Sequence, residues 1–100
     1  MKRIYDAAFA SQSNKSHHSH LGTFWWVDDT DSNIKGMWSR GEAHDYVVAM
    51  PKTVYVKEGD ATAWVKPYHY TDNPSIVWIE TDPDGKLKDN LLTLAKRHRY

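Results

Sequence analysis

Three histidines stand close together in a polar segment near the start of the sequence, and their side chains could bind a metal ion. They are His17, His18 and His20, in the stretch SQSNKSHHSH at residues 11–20. Imidazole is a common ligand of zinc and nickel, and the acidic segment 28–31 could add carboxylates. The stretch offers no further ligand at a diagnostic spacing and nothing to pack. We therefore interpret residues 11–20 as an exposed polar loop, and we expect no metal and no other cofactor.

A second possible metal site is the acidic stretch WIETDPDGKLKDNLL at residues 78–92. A twelve-residue calcium loop needs clustered carboxylates, a Gly at its sixth position and a Glu at its twelfth. Counted from Asp82, those two positions hold Leu87 and Thr93, so the pattern fails. The segment Asp82–Gly85 instead suits a tight turn, because Pro presets one dihedral angle and Gly accepts a positive φ. The apolar residues expected to return to the core after this turn are Leu91, Leu92 and Leu94.

The sequence contains no recognisable catalytic motif. There is no Gly-x-Ser-x-Gly nucleophile turn, no phosphate-binding glycine loop and no His-Glu-x-x-His zinc motif. His44 is expected on a helix, off its apolar face, and His69 among tyrosines on a strand, where a histidine is more often structural. A chain of 100 residues has little room for both a core and an enclosed pocket. We therefore expect no enzymatic activity.

Aromatic side chains are the strongest indication of function. The chain contains five Trp, six Tyr and two Phe, and several lie in predicted strands, where alternation must expose some of them. The predicted aromatic binding surface consists of Trp25, Trp26, Trp64, Tyr68 and Tyr70. Exposed Trp and Tyr dominate the energetics of protein interfaces. The leading hypothesis is a small non-enzymatic protein-interaction domain whose partner is another protein or a second copy of the chain.

The alternative is a protein that binds single-stranded nucleic acid. Bases stack on exposed rings with about 1–3 kcal/mol each, and a predicted basic tail at residues 95–100 supplies Lys96, Arg97 and Arg99. The charge balance argues against this alternative, since Lys and Arg number 13 and Asp and Glu also number 13. Such a chain has no strong positive field to attract a phosphate backbone.

Length and composition predict one cytoplasmic domain spanning residues 1–100. The chain contains no cysteine, which excludes thiolate zinc sites, thiol nucleophiles and disulfides. Residues 1–15 lack the apolar run of a signal peptide, and no apolar run is long enough to cross a bilayer. We therefore expect no membrane association.

One helix is predicted at residues 39–50. Ser39 and Glu42 have the Ser-x-x-Glu spacing of a capping box, in which each side chain satisfies an amide of the first turn. Pro51 ends the helix. The predicted buried face repeats at helical spacing and consists of Ala43, Tyr46, Val47 and Met50.

Five strands complete the predicted fold. Their β-rich segments are residues 3–10, 21–28, 53–60, 61–70 and 76–81. The link at 58–60 suits a hairpin, and the apolar run of the last strand favours a central position in the sheet. The sequence thus predicts an α+β domain with a five-stranded, mostly antiparallel sheet, the order β-β-α-β-β-β and one packed helix.

The closing segment VWIETDPDGKLKDNLLTL resembles the signature of a family of small uncharacterised bacterial and phage domains. That signature is an aromatic or apolar residue, Ile-x-Thr-x-x-Asp-Gly, a short gap and Asp-Asn-Leu-Leu-x-Leu. It falls here on Trp78, Ile79, Thr81, Asp84, Gly85, Asp89, Asn90, Leu91, Leu92 and Leu94. Ala95 stands where family members usually have Pro. The resemblance implies a similar fold over residues 21–94 and implies no activity. Its phage side implies that the interaction domain is a regulator of phage or host origin.

Zinc, nickel and calcium are each expected to leave the melting temperature of the protein unchanged. A ligand that binds only the folded state must stabilise it, so thermal unfolding with and without each ion tests the interpretation of the histidine loop. A rise of several degrees that the double variant His18→Ala and His20→Ala removes would contradict it.

Overall fold

The computed structural model describes residues 1–10, 20–58, 61–81 and 90–98, and these form six strands and two helices. The strands are β1 (Lys2–Phe9), β2 (Leu21–Asp28), β3 (Lys35–Ser39), β4 (Val54–Glu58), β5 (Ala61–His69) and β6 (Val77–Thr81). The helices are α1 (Arg40–Ala49) and α2 (Asn90–Arg97). The order of elements in the first half of the chain, three strands and a helix, is repeated in the second half.

The six strands form one mixed sheet in the order β3-β2-β1-β4-β5-β6. Adjacent strands are antiparallel within β1–β3 and within β4–β6. The two halves meet where β1 pairs with β4 in parallel, through Lys2 with Val54 and Arg3 with Tyr55. The long strand β5 pairs with β4 over Ala61–Trp64 and with β6 over Val65–His69. A two-residue parallel contact therefore joins two antiparallel three-stranded units.

The predicted α+β class is confirmed, but the predicted count of five strands and one helix is wrong. Strand β3 was missed because KGMWS is short and begins with Lys-Gly, which weakens the alternation signal. Helix α2 was missed because it has only eight residues and directly follows an acidic stretch. The predicted central position of the last strand is also wrong, since β6 lies at an edge.

Helix α1 begins with the predicted capping box. The Ser39 hydroxyl accepts a hydrogen bond from the Glu42 amide at 3.2 Å, and the Glu42 carboxylate accepts one from the Ser39 amide at 2.9 Å. These bonds hold the pKa of Glu42 below its ordinary value. Ala43 and Val47 are buried as predicted. Met50 is 47% exposed, contrary to prediction, because it is the C-cap residue and has left helical geometry with φ −130°.

A single apolar core joins the two halves of the sheet to both helices. Its largest fully buried side chains include Phe24 of β2, Ile4 of β1, Ile79 of β6 and Leu91 of α2. The predicted return of the closing leucines is confirmed, since Leu91 and Leu92 are buried and Leu94 packs against the core. Helix α1 packs on β2, β3, β5 and β6, and α2 packs on β1 and β6.

One stack of rings fixes α1 against the first half of the sheet. Trp26 lies 5.3 Å from Trp38, and Trp38 lies 4.8 Å from Tyr46 of α1, measured between ring centroids. The ammonium group of Lys2 lies 4.2 Å from the Trp26 ring centroid, in cation–π geometry. Trp26 faces Gly36 across β2 and β3, and a Cβ atom at Gly36 would lie only 2.8 Å from the Trp26 ring. Glycine is therefore required at position 36 to seat the indole.

Two glycine variants are expected to change stability in opposite directions. Gly36→Ala should lower the free energy of unfolding by about 1–3 kcal/mol, because the added methyl group overpacks the Trp26 ring. Gly41→Ala is the control, since no atom lies within 4 Å of the Cβ position there; it should raise stability by about 0.5 kcal/mol through helix propensity. Chemical denaturation measures both. Equal shifts in the two variants would contradict the proposed ring packing.

Candidate binding surface

A row of five neighbouring side chains crosses five strands on the side of the sheet opposite α1, here called the outer face. Residues that are in register on neighbouring strands place their side chains on the same face of the sheet. Four such pairings connect the row from one strand to the next: Lys35 with Val27, Val27 with Arg3, Arg3 with Tyr55, and Tyr55 with Trp64. These five residues, which we call the outer row, combine two cations with two aromatic rings. The parallel contact between β1 and β4 makes the row continuous, because it places Arg3 beside Tyr55.

Tyr55 and Trp64 form the aromatic end of the outer row. Their ring centroids lie 5.8 Å apart in an edge-to-face arrangement of 66°, which is a favourable geometry for aromatic pairs. The Tyr55 hydroxyl donates a hydrogen bond to Asp29 at 3.2 Å. Burial, and then this carboxylate acceptor, raise the pKa of Tyr55 above its ordinary value, while Arg3 opposes the rise. The phenol is therefore a fixed neutral donor at physiological pH.

Trp25 lies beside the outer row and packs against His98, the residue that follows α2. Its ring stacks on His98 with a centroid distance of 5.0 Å and an interplanar angle of 14°. Nδ1 of His98 lies 2.9 Å from Oδ2 of Asp6, the residue in register with Trp25 on β1. On the other side, Trp25 is in register with Met37 of the edge strand β3, whose side chain is 60% exposed. The ring thus connects an anchored histidine to an exposed apolar side chain.

The far end of the outer face is organised around Trp78. This residue is only 6% exposed, because Tyr68 stacks on it at 6.2 Å and Tyr70 contacts it at 4.8 Å, measured between ring centroids. The indole N–H of Trp78 donates to Glu80 at 2.8 Å. Tyr68 and Tyr70 therefore cover a buried ring and also form the surface above it.

Four of the five predicted aromatic residues lie on the outer face. Trp25, Trp64, Tyr68 and Tyr70 are half-buried or exposed there. Trp26 does not belong to this surface, which corrects the prediction. Alternation does place Trp25 and Trp26 on opposite faces, as expected, and Trp26 packs against the core.

The predicted binding surface left out five residues that the structure places on this face, namely Arg3, Val27, Lys35, Met37 and Tyr55. Met37 was missed together with strand β3. Arg3 was missed because the sequence does not show that β1 and β4 are neighbours. Tyr55 alternates with two buried valines in VYV, and this pattern predicts Tyr55 on the face opposite to them, although Tyr55 was not included in the predicted binding surface.

The predicted basic tail is in part helical. Residues 95–97 belong to α2, Ala95 is fully buried, and Lys96 and Arg97 are exposed in the last turn of the helix. Cations near a helix C-terminus interact favourably with the helix dipole. Arg99 lies outside the described residues. Residue 95 therefore belongs to the core, and the predicted boundary of the tail is too early.

The predicted histidine loop and acidic turn lie outside the described residues, apart from His20, whose backbone carbonyl accepts a hydrogen bond from the Ala10 amide at 2.8 Å. Within the ranges that the structure describes, no group of three or more His, Asp or Glu side chains is arranged to hold a metal ion. His44 contacts Asp45 at 3.1 Å, and His69 is exposed. None of the helices in the described parts of the chain combines the length and the apolar character needed to cross a bilayer.

Comparisons of the chain with protein-family models, with curated proteins and with solved structures gave no match. The resemblance of the closing segment to a family of small bacterial and phage domains stays a prediction. Of its signature residues, Trp78, Ile79, Thr81, Leu91 and Leu92 are buried, so these residues contribute to folding.

The contact between Asp6 and His98 is expected to couple the end of α2 to the sheet. In a double-mutant cycle with Asp6→Asn and His98→Ala, the coupling energy should be about 1 kcal/mol, because both side chains are partly buried. A matched control is the cycle with Asp45→Asn and His44→Ala, where Asp45 is 82% exposed and coupling should be close to zero. Equal coupling in the two cycles would show that the Asp6–His98 contact contributes nothing specific.

Proposed function

We propose that this protein is a small non-enzymatic interaction domain that binds a protein partner, or a second copy of itself, through the outer face of its sheet. The observation that carries the proposal is the continuous outer row, Lys35–Val27–Arg3–Tyr55–Trp64, flanked by Trp25 and Met37. The proposed location is the cytoplasm, and the proposed role is that of a regulator of bacterial or phage origin.

The residue types on this face support a protein partner. Trp, Tyr, Met and Arg are enriched in protein interfaces, and the face brings all four types together at Trp25, Tyr55, Met37 and Arg3. Acidic groups also belong to it, since Asp29 accepts the Tyr55 hydroxyl and Asp6 lies beside His98. Mixed charge around an aromatic centre favours specific pairing with a protein surface over attraction to a polyanion.

The rings are also held in fixed positions before any partner binds. Tyr55 is fixed by Trp64 and Asp29, and Trp25 is fixed by His98. A partner that docks on fixed rings loses less conformational entropy, because these side chains are already ordered. The same contacts disfavour base stacking, since one face of Trp25 is occupied and Tyr55 meets Trp64 edge to face.

The second candidate function, binding of single-stranded nucleic acid, is favoured by one observation. Arg3 and Lys35 lie in the same row as the rings, and the last turn of α2 brings Lys96 and Arg97 close to His98, which itself contacts the outer face. Basic groups beside aromatic rings are typical of single-strand binding surfaces. This alternative is distinguished from the first by its dependence on salt.

The proposal predicts that Met37→Asp abolishes partner binding without unfolding the protein. Met37 is 60% exposed on an edge strand, and the matched control Val48→Asp changes a 56% exposed residue of α1. We expect affinity capture from a cell extract, followed by reconstitution with the purified partner, to fail for Met37→Asp and to succeed for Val48→Asp. For self-association, sedimentation velocity should show the same contrast. Equal binding by both variants would place the interface elsewhere.

The nucleic-acid alternative has its own test with single-stranded oligonucleotides. Under the leading proposal, fluorescence anisotropy shows no submicromolar binding at physiological salt. The basic residues cannot be removed by truncation after Leu94, because that would also remove part of α2. The variant Lys96→Ala with Arg97→Ala is used instead, since both side chains are exposed. Submicromolar binding that falls with salt and with this double variant would replace the protein-partner proposal.

A further inference from the structure

A cavity of about 430 Å³ lies between the C-terminal end of α1 and the second half of β5. It adjoins the outer row and shares Trp64 with it. The residues that line it are Val47, Pro51, Lys52, Trp64, Val65, Lys66 and Pro67. Cavities of roughly 300–1,000 Å³ with apolar walls and a few polar groups are typical of small-molecule sites.

The cavity exists because β4 and β5 separate. Their pairing ends at Tyr55 and Trp64, after which β5 continues to pair only with β6. The segment that would extend β4 along β5 is Pro51–Thr53, which instead turns away to join α1. Pro67 has no N–H group, so it cannot form a full set of backbone hydrogen bonds with strands on both of its sides. The sequence of β5 therefore favours the gap between β4 and β5.

The charge of the cavity lining is positive. It contains two lysines, and none of the described residues that line it is acidic. Lys66 is in register with the acidic residue Glu80 on the neighbouring strand. Lys52 lies outside the strands and has no such cross-strand neighbour, so it is the lysine that we assign to ligand binding. The Met50 carbonyl at the end of α1 accepts a hydrogen bond from the Thr53 hydroxyl at 2.6 Å. This bond satisfies a partly negative carbonyl oxygen at the C-terminal end of the helix.

The backbone at Lys52 supplies an independent observation. Lys52 has φ 58°, and it is the one non-glycine residue with positive φ among those that the structure describes. This left-handed conformation disfavours residues with a Cβ atom and favours glycine. Lys52 lines the cavity in this strained conformation, and strain of this kind is concentrated at functional sites.

We propose that this cavity binds a small apolar carboxylic acid, with the hydrocarbon body against Val47, Pro51, Val65 and Pro67 and the carboxylate near the Lys52 ammonium group. Apolar walls provide most of the binding free energy, and the charge-assisted contact selects the acid over a neutral analogue. The proposed acid site differs from the proposed partner surface, because Lys52 and Val47 lie outside the outer row, and the two share Trp64.

The test uses naphthylacetate as the probe and naphthylacetamide as its neutral analogue. Isothermal titration should give a Kd on the order of 0.1 mM for the acid and a value about tenfold weaker for the amide. NMR shifts on binding should be centred on Val47, Val65 and the Trp64 indole. Equal affinity for acid and amide, shifts centred elsewhere, or absence of binding at millimolar acid would overturn the proposal.

Lys52→Gly is the decisive variant, because glycine removes the amine and relieves the positive φ. We expect a melting temperature that is unchanged or higher, together with about tenfold weaker binding of the acid and unchanged binding of the amide. Lys57→Ala is the control, since Lys57 is an exposed lysine of β4 outside the cavity, and it should bind the acid like the parent protein. Full retention of acid binding in Lys52→Gly would overturn the assignment of Lys52.

Discussion

The arrangement of the whole molecule depends on one short contact, the parallel pairing of β1 with β4. Only Lys2 with Val54 and Arg3 with Tyr55 are in register there, and the Lys2 amide donates to the Thr53 carbonyl at 2.9 Å. Parallel pairing contributes slightly less per residue than antiparallel pairing, so two residue pairs provide little stability by themselves. The core reinforces the junction, because Ile4, Val54 and Ile79 belong to the same buried cluster, and α2 packs on both β1 and β6.

The outer row depends on this junction, whereas the cavity depends on the separation of β4 from β5. Where β1 and β4 are paired, side chains of the two halves line up and the outer row runs without a break from Lys35 to Trp64. Where β4 and β5 separate, the gap beside α1 becomes the cavity at Lys52. The proposed partner surface and the proposed acid site are therefore neighbours that share Trp64.

Local features of the fold were predictable from the sequence, and pairings between distant strands were not. The capping box at Ser39, the buried Val47 and the opposite orientation of Trp25 and Trp26 depend on neighbours a few residues apart, so sequence spacing determines them. The pairing of β1 with β4 joins residues more than fifty positions apart, and no local pattern encodes it. Arg3 could therefore not be assigned to the surface, and Lys52 gave no signal because its φ depends on the turn that follows α1.

Amide hydrogen exchange at Lys2 tests whether β1 and β4 are paired in one continuous sheet. We expect the Lys2 amide to exchange with a free energy of opening close to that of amides in the centre of β2 and β5, because the junction opens only when the core does. The opposite result is that the Lys2 amide exchanges at the rate of an unprotected amide while amides of β2 and β5 remain protected. This result would contradict the pairing of β1 with β4, since the two halves would then not share one continuous outer face.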